Sequence, residues 1–269
     1  MIHTIKKQAN IFLGKFGYQI TQTREHDPRY QQVVREIEGL YSELLFKDFP
    51  GSDEKRTALL SNLLGTNISE AIYILYYLSK SLNIPGDICE FGIAQGATSA
   101  LMANEIRATD KNIWLFDSFE GLPRPTEKDV LKDEIFNLGS MEAYAGTMSF
   151  KADMVRRRLR DIAFPFSKVR IVPGFIEETI RNPNLPEKVA FAYVDFDFYE
   201  PILIALQFLD KVLQQGGFIV VDDYDFFSTG AKTAVEEFLR TREGTYAMSL
   251  PIRSAGHFCI LEKTGALAN

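Results

Sequence analysis

Cysteine is scarce: the chain has two, Cys89 and Cys259, each inside an apolar run, GDICEFG and GHFCILE. Two thiols cannot build an all-cysteine zinc site, and in such runs they read as buried structural thiols rather than a disulfide or a reactive pair. A reducing cytoplasm fits that usage. Long apolar stretches are missing as well. No window approaches the about 18 apolar residues of a membrane-spanning helix. The opening MIHTIKKQANIFLGKFGYQI carries basic residues but no apolar stretch leading to a small-residue cleavage site, so it does not read as a signal peptide. Charge of one sign is also lacking. Thirty basic against 36 acidic side chains leave a net charge of -6, which offers no global field for nucleic acid or an anionic membrane. Neither an internal repeat nor a low-complexity tract interrupts the chain. What remains is globular in composition: 46% hydrophobic residues, with 21 Phe and 11 Tyr, favour a packed interior over disorder. A chain of 269 residues allows one large α/β domain or a smaller domain with an extension.

Before about residue 85 the pattern is helical. Val34, Ile37, Leu40, Tyr41, Leu44 and Leu45 recur at three- and four-residue steps, and SNLLGTNISEAIYILYYLSKSL predicts further helix broken near Gly65, with Asn67 or Ser69 as a cap. Residues 1–84 are therefore expected to form a helical extension or cap, whose apolar helices could serve a homo-oligomer interface. From Pro85 short apolar strands alternate with helices. DICEF, NIWLF, KVRIV, VAFAYVD and GFIVVD predict strands near 87–91, 112–116, 168–172, 189–195 and 217–221. TYAMSLP and GHFCILEK add an antiparallel pair at one side. This alternation predicts an α/β fold with a doubly wound, mostly parallel sheet over residues 85–269. Residues 118–150 form an insertion too long for an ordinary connection, in the position of a substrate lid. The helix SFKADMVRRRLRDI follows it, and its run Arg156, Arg157, Arg158 and Arg160 reads as a solvated face, with a phosphate site as the alternative.

Three places carry chemistry. Glu90-Phe91-Gly92-Ile93-Ala94-Gln95-Gly96 joins the first strand to a helix, where glycines let backbone approach a nucleotide-like ligand and the helix start offers free N–H groups; a plain strand-to-helix turn reads the same way. One strand later NIWLFD ends in Asp117, placed to accept from ribose hydroxyls or to cap a turn. YVDFDFYEP then puts Asp195 and Asp197 at i and i+2, on one face of a strand end, and GGFIVVDDYD brings Asp222 and Asp223 to the same edge. Carboxylates converging there would raise one another's pKa unless a cation were present, and oxygen ligands suit a hard divalent ion, most simply Mg2+.

Taken together, WLFDSFEGLP, VPGFIEETI, VDFDFYEPILIALQFL and GGFIVVDDYDFF, in this order and spacing, resemble the macrocin O-methyltransferase family of S-adenosyl-L-methionine-dependent, metal-dependent sugar methyltransferases, over roughly residues 85–260. The resemblance implies the seven-stranded, Rossmann-like class I methyltransferase sheet with an antiparallel last strand. It implies Mg2+ on Asp195, Asp222 and Asp223, and Asp197 as general base. It implies Glu90, Gly92 and Gly96 at the methionine part of S-adenosyl-L-methionine, Asp117 and Ser118 at the ribose, and Gly174 and Phe175 toward the adenine. The acceptor would be a small molecule or glycan with a free hydroxyl, in natural-product or surface-polysaccharide biosynthesis, the latter also suggested by the leader-like LGKFGYQI. One departure stands out: the residue between the two acids is commonly glycine in that family, and here it is Phe196, expected to face away from the crevice. The competing readings are an Asp-x-Asp metal-dependent glycosyltransferase using a nucleotide sugar and an inactive binding domain of the same fold. The first leaves Asp222, Asp223 and the Glu90–Gly96 loop without a joint purpose; the second has only Phe196 in its favour.

Overall fold

A computed structural model describes residues 28–51 and 53–265; the expectations on the first 27 residues lie outside them. The chain begins with α1 (Pro28–Leu44), α2 (Glu54–Ser61) and α3 (Ile68–Lys80). Short polar side chains start the last two: Asp53 accepts from the Arg56 N–H at 3.0 Å and Asn67 from the Glu70 N–H at 2.9 Å, satisfying donors that a first helical turn leaves free. Then follow β1 (Asp87–Phe91), α4 (Ala97–Glu105), β2 (Ile113–Asp117), α5 (Ala152–Asp161), β3 (Val169–Pro173), the single turn α6 (Ile176–Thr179), β4 (Val189–Val194), α7 (Tyr199–Val212), β5 (Leu213–Val221), α8 (Gly230–Arg240), β6 (Tyr246–Ser249) and β7 (Cys259–Lys263).

The seven strands form one sheet in the order β3-β2-β1-β4-β5-β7-β6. β1 to β5 are parallel, and β7 runs antiparallel between β5 and β6. The anticipated doubly wound, mostly parallel sheet is therefore present. β4 is buried at every position, as a central strand covered on both faces must be, and its near-continuous apolar run VAFAYV follows from that. On one face Ile88, Leu115, Tyr193 and Val220 pack with the three N-terminal helices, so those helices share a core with the sheet. On the other face Phe91, Phe116, Val194 and Val221 pack against α7 and α8. Cys89 and Cys259 are both buried and free. Among the described residues no helix is long and apolar enough to cross a membrane.

The chain leaves β1 toward β2 and β3 on one side and returns to β4 on the other, so the crevice opens at the carboxyl ends of β1 and β4, where α/β sheets bind ligands. The hydrogen-bond ladder runs one residue past each strand end. Gly174 N–H donates to the Asp117 carbonyl at 3.0 Å, Gly92 N–H to Phe116 at 2.9 Å, Asp195 N–H to Phe91 at 2.7 Å and Asp222 N–H to Val194 at 2.9 Å. Register alone thus sets Gly174, Asp117, Gly92, Asp195 and Asp222 in a row along one edge.

Candidate active site

The edge opens into a cavity of about 1120 Å³, larger than the roughly 300–1,000 Å³ that one drug-sized ligand fills. Glu90, Gly92, Asp117, Ser118, Gly174 and Phe175 border it. Gly92 has φ 83°, and a Cβ there would stand 1.8 Å from the Asp195 carbonyl oxygen, so the crossing of the β1 and β4 ends admits only glycine. Gly96 does not border the cavity; it starts α4 at φ 75° and faces Val155, whose atoms would lie 3.1 Å from a Cβ. Asp117 is already at work on backbone. Oδ2 accepts from the N–H of Ile93 at 2.7 Å and of Ala94 at 3.1 Å, and Oδ1 from Phe119 at 2.6 Å. Burial raises its pKa and these three donors oppose the rise, so Asp117 folds the Gly92–Gly96 loop while it borders the cavity. Ser118 is a turn residue: its Oγ donates to the Gly121 carbonyl and accepts from the Glu120 N–H, each at 3.0 Å. Glu90 is buried and accepts from Ser99 Oγ; burial pushes its pKa up to about 8. Of the arginine run, Arg156, Arg157 and Arg160 are exposed, whereas Arg158 Nε donates to the Gln95 carbonyl at 2.8 Å and braces the same loop.

The acids occupy the neighbouring part of the cavity. One oxygen each from Asp195, Asp197 and Asp223 lie within 4.8 Å of one another. Burial comes first among the causes that hold all three carboxyls well above their ordinary pKa, and the charges of their neighbours come next. Asp222 stands one step back, with Oδ2 accepting from Tyr193 OH at 2.9 Å and Oδ1 from the Asp223 N–H at 2.8 Å. The Tyr193 hydroxyl also lies 3.0 Å from Oε1 of Glu70 on α3, a buried carboxyl raised by burial and then by Asp222. The cluster of closest oxygens therefore contains Asp197 where the resemblance expects Asp222. The route to it also differs from strand alternation. β4 ends at Val194, and Asp197 reaches the cluster through left-handed backbone, φ 62°, as Asp223 does at φ 53°. Such conformations are uncommon outside glycine and concentrate at functional sites.

Phe196 lies on the opposite face from Asp195 and meets Phe91 edge-on, ring centroids 5.9 Å apart; it also borders the cavity. The insertion supplies apolar wall, including Phe136, Met148 and Phe150, and is pinned from behind by Tyr144 packed on Phe227. Glu70 and Tyr193 were not singled out from sequence. Tyr193 precedes Asp195 by two residues on the same strand face, a readable signal. Glu70 follows the Asn67 cap by three residues, which marks a helix start and says nothing of a site 123 residues away.

The donor set fits a hard divalent cation: three clustered carboxylates with raised pKa, and all-oxygen ligands. The glycine turn, the α4 start and the anchored Asp117 likewise fit a nucleoside-bearing cofactor.

Residues 77–257 match the macrocin-O-methyltransferase (TylF) family. Among curated relatives, an 8-demethyl-8-(2,3-dimethoxy-alpha-L-rhamnosyl)-tetracenomycin-C 4'-O-methyltransferase of Streptomyces olivaceus is 30% identical over 173 residues, covering 63% of this chain and 62% of the relative. A demethyldecarbamoylnovobiocin O-methyltransferase of Streptomyces niveus is 31% identical over 160 residues, covering 58% and 59%. The chain thus spans about six-tenths of the length of these relatives. Among solved structures, the O-methyltransferase NovP superposes with a TM-score of 0.65 at 20% identity, over 87% of this chain and 100% of that one, a likeness of fold.

Proposed function

The chain belongs to the macrocin-O-methyltransferase family, and on that premise we propose that it is an S-adenosyl-L-methionine-dependent, Mg2+-dependent O-methyltransferase acting on a sugar hydroxyl of a glycosylated acceptor. The observation that carries this reading is the row of strand ends that sets the Asp117-anchored glycine loop beside the carboxylate cluster in one cavity. Relatives named for methylation of glycosylated natural products support the acceptor class. The free buried thiols accord with a cytoplasmic setting.

Asp195 and Asp223 of the cluster, with Asp222 beside them, would hold the metal. Asp222 receives hydrogen bonds from Tyr193 and from backbone, the outer support that ligating carboxylates commonly carry. Asp197 is assigned as the base. A base for a hydroxyl held at an ion must stand within a hydrogen bond of that hydroxyl, hence inside the same cluster, so the closeness of Asp197 to Asp195 and Asp223 fits the role. When bound, the metal would lower the pKa of the acceptor hydroxyl and the cofactor sulfonium would supply the methyl group. Asp197 accepts the hydroxyl proton on a carboxylate oxygen. Glu90 and the Gly92–Gly96 loop orient the methionine end, and Asp117 the ribose. The apolar face of the insertion excludes water from the reacting hydroxyl.

Thermal shift with S-adenosylhomocysteine and Mg2+, alongside nucleotide sugars, tests the assignment, followed by transfer of labelled methyl to glycosides bearing vicinal hydroxyls. Stabilisation by S-adenosylhomocysteine is expected. Stabilisation by nucleotide sugars instead would favour a glycosyltransferase and overturn it.

A further inference from the structure

The start of α7 lacks a local cap. Its N-cap residue is Phe198, whose side chain accepts nothing, and this start follows Asp197 directly. A carboxylate from the insertion, 70 residues away in sequence, fills the gap. Asp129 is 4% exposed, and its Oδ1 accepts from the Tyr199 N–H at 2.7 Å while Oδ2 accepts from the N–H and Oγ1 of Thr126 at 2.7 and 2.8 Å. The cap sits at the positive end of a 14-residue helix, where an anion is favoured. The same helix residue is held a second time. Lys128 Nζ lies 2.7 Å from Tyr199 OH and 2.8 Å from Glu237 of α8.

Gly230, at the start of α8, makes room for this junction: a Cβ there would lie 2.0 Å from Asp129 Oδ1 and 2.8 Å from the Tyr199 nitrogen. Two residues earlier Ser228, fully buried, donates from Oγ to the Asp197 carbonyl at 3.3 Å and accepts from the Gly230 N–H at 3.0 Å. The insertion is zipped to this segment. Thr229 N–H donates to the Val130 carbonyl at 2.9 Å, Val130 N–H to Thr229 Oγ1 at 2.9 Å, and Lys132 N–H to the Phe227 carbonyl at 3.0 Å. Asp197 itself holds a left-handed φ of 62°, a conformation that persists only where the surroundings over-determine it.

We propose that Asp129 is a positioning residue for Asp197, acting through the start of α7 and the Ser228–Gly230 turn, so that residues 126–132 are a fixed root of the insertion and part of the frame of the reacting centre. The kinetic part of this proposal rests on the O-methyltransferase reading. Among the described residues the root bonds to the segments after β4 and β5 and not to the Gly92–Gly96 loop, so its loss is expected to disturb the base and to leave cofactor binding alone.

The test compares wild type with Asp129→Ala, Asp129→Asn and Gly230→Ala by steady-state kinetics, calorimetric titration of S-adenosylhomocysteine, and hydrogen exchange read on peptides. Asp129→Ala is expected to lower kcat by about 100-fold, the cost of roughly an ångström of misplacement, with the Kd for S-adenosylhomocysteine within threefold. Exchange is expected to rise over residues 195–203 and 227–231 and to stay unchanged over 90–100. Asp129→Asn, whose single amide oxygen can accept from Tyr199 only by turning its NH2 toward the Thr126 N–H, is expected to recover part of kcat, and Gly230→Ala to reproduce the Ala variant by pushing the carboxylate out. A kcat loss matched by an equal loss of S-adenosylhomocysteine affinity, or exchange rising evenly across the sheet, would overturn the proposal; should Asp129→Ala not fold, the other two variants decide it. Wild type that binds no S-adenosylhomocysteine would refute the methyltransferase reading, and the exchange pattern would still judge the role of Asp129.

Discussion

Replacing Glu90 with glutamine is expected to stabilise the protein while weakening its cofactor site. Glu90 is 1% exposed on β1, and burial pushes its pKa from an ordinary 4.5 up to about 8, against a Ser99 hydrogen bond that lowers it. In the folded chain at neutral pH the carboxyl therefore keeps its proton, whereas in the unfolded chain it is ionised. The folded state binds more protons, so stability is full below the unfolded pKa and declines as pH rises from about 4.5 through about 8. That loss is on the order of 3 kcal/mol at pH 7 and about 1 kcal/mol at pH 5. Glutamine mimics the protonated acid, can accept from Ser99, and carries no such loss. Thermal unfolding in a chelating buffer should thus place Glu90→Gln above wild type by roughly 6–12 °C at pH 7, shrinking to roughly 2–4 °C at pH 5. The same variant should bind S-adenosylhomocysteine at least about tenfold more weakly if Glu90 faces the cofactor's ammonium, which favours the ionised form, a trade between stability and activity seen at many sites. A variant that melts below wild type at pH 7, or whose gain is the same at both pH values, refutes the reasoning.

Gly92→Ala should cost about 3 kcal/mol or more, since the left-handed backbone alone costs roughly 1–2 kcal/mol and its Cβ meets the Asp195 carbonyl at 1.8 Å; Gly244→Ala, at φ 76° with nothing within 4 Å, should cost only about 1 kcal/mol in the same urea titration. The rise in Tm given by saturating Mg2+ should be larger at pH 8 than at pH 5.5, because protons compete for carboxyls held above their ordinary pKa, and Asp223→Asn should abolish it; an equal rise at both pH values would count against the metal site. Phe196→Ala should cost about 2–3 kcal/mol by loss of its packing on Phe91, whereas a cost below about 1 kcal/mol would mean that this ring packs on little.

The parallel core was legible because each central strand is a near-continuous apolar run: DICEF, NIWLF and VAFAYVD differ from β1, β2 and β4 by at most a residue at either end. The start of β5 was not. It begins at Leu213, where polar Gln214 and Gln215 and two glycines carry no strand pattern, and it pairs there across an irregularity between Val189 and Phe191. Nor was the place of β7 between β5 and β6 readable from a hairpin-like pair of runs, since adjacency in sequence and order in a sheet are separate facts.

For the site, sequence spacing named the acids and misjudged how Asp197 arrives. Alternation along a strand predicts Asp195 and Asp197 on one face, but the strand has ended and a left-handed residue makes the turn. Aspartate tolerates that conformation, so nothing in DFD announces it. The Asp129 cap on the neighbouring Tyr199 N–H and the Ser228 bond to the Asp197 carbonyl flank it instead, and these come from segments 31 to 70 residues away. The physical situation explains why such support is needed. Glu70, Asp195, Asp197 and Asp223 are all raised by burial and by carboxylate neighbours, and Asp197 and Asp223 add backbone strain of about 1–3 kcal/mol each. Both effects oppose folding in the absence of a cation. The strand leading to Asp195 and Asp197, β4, is buried at every position, so the acids stand at the end of a strand packed on both faces, and its burial opposes their relaxation.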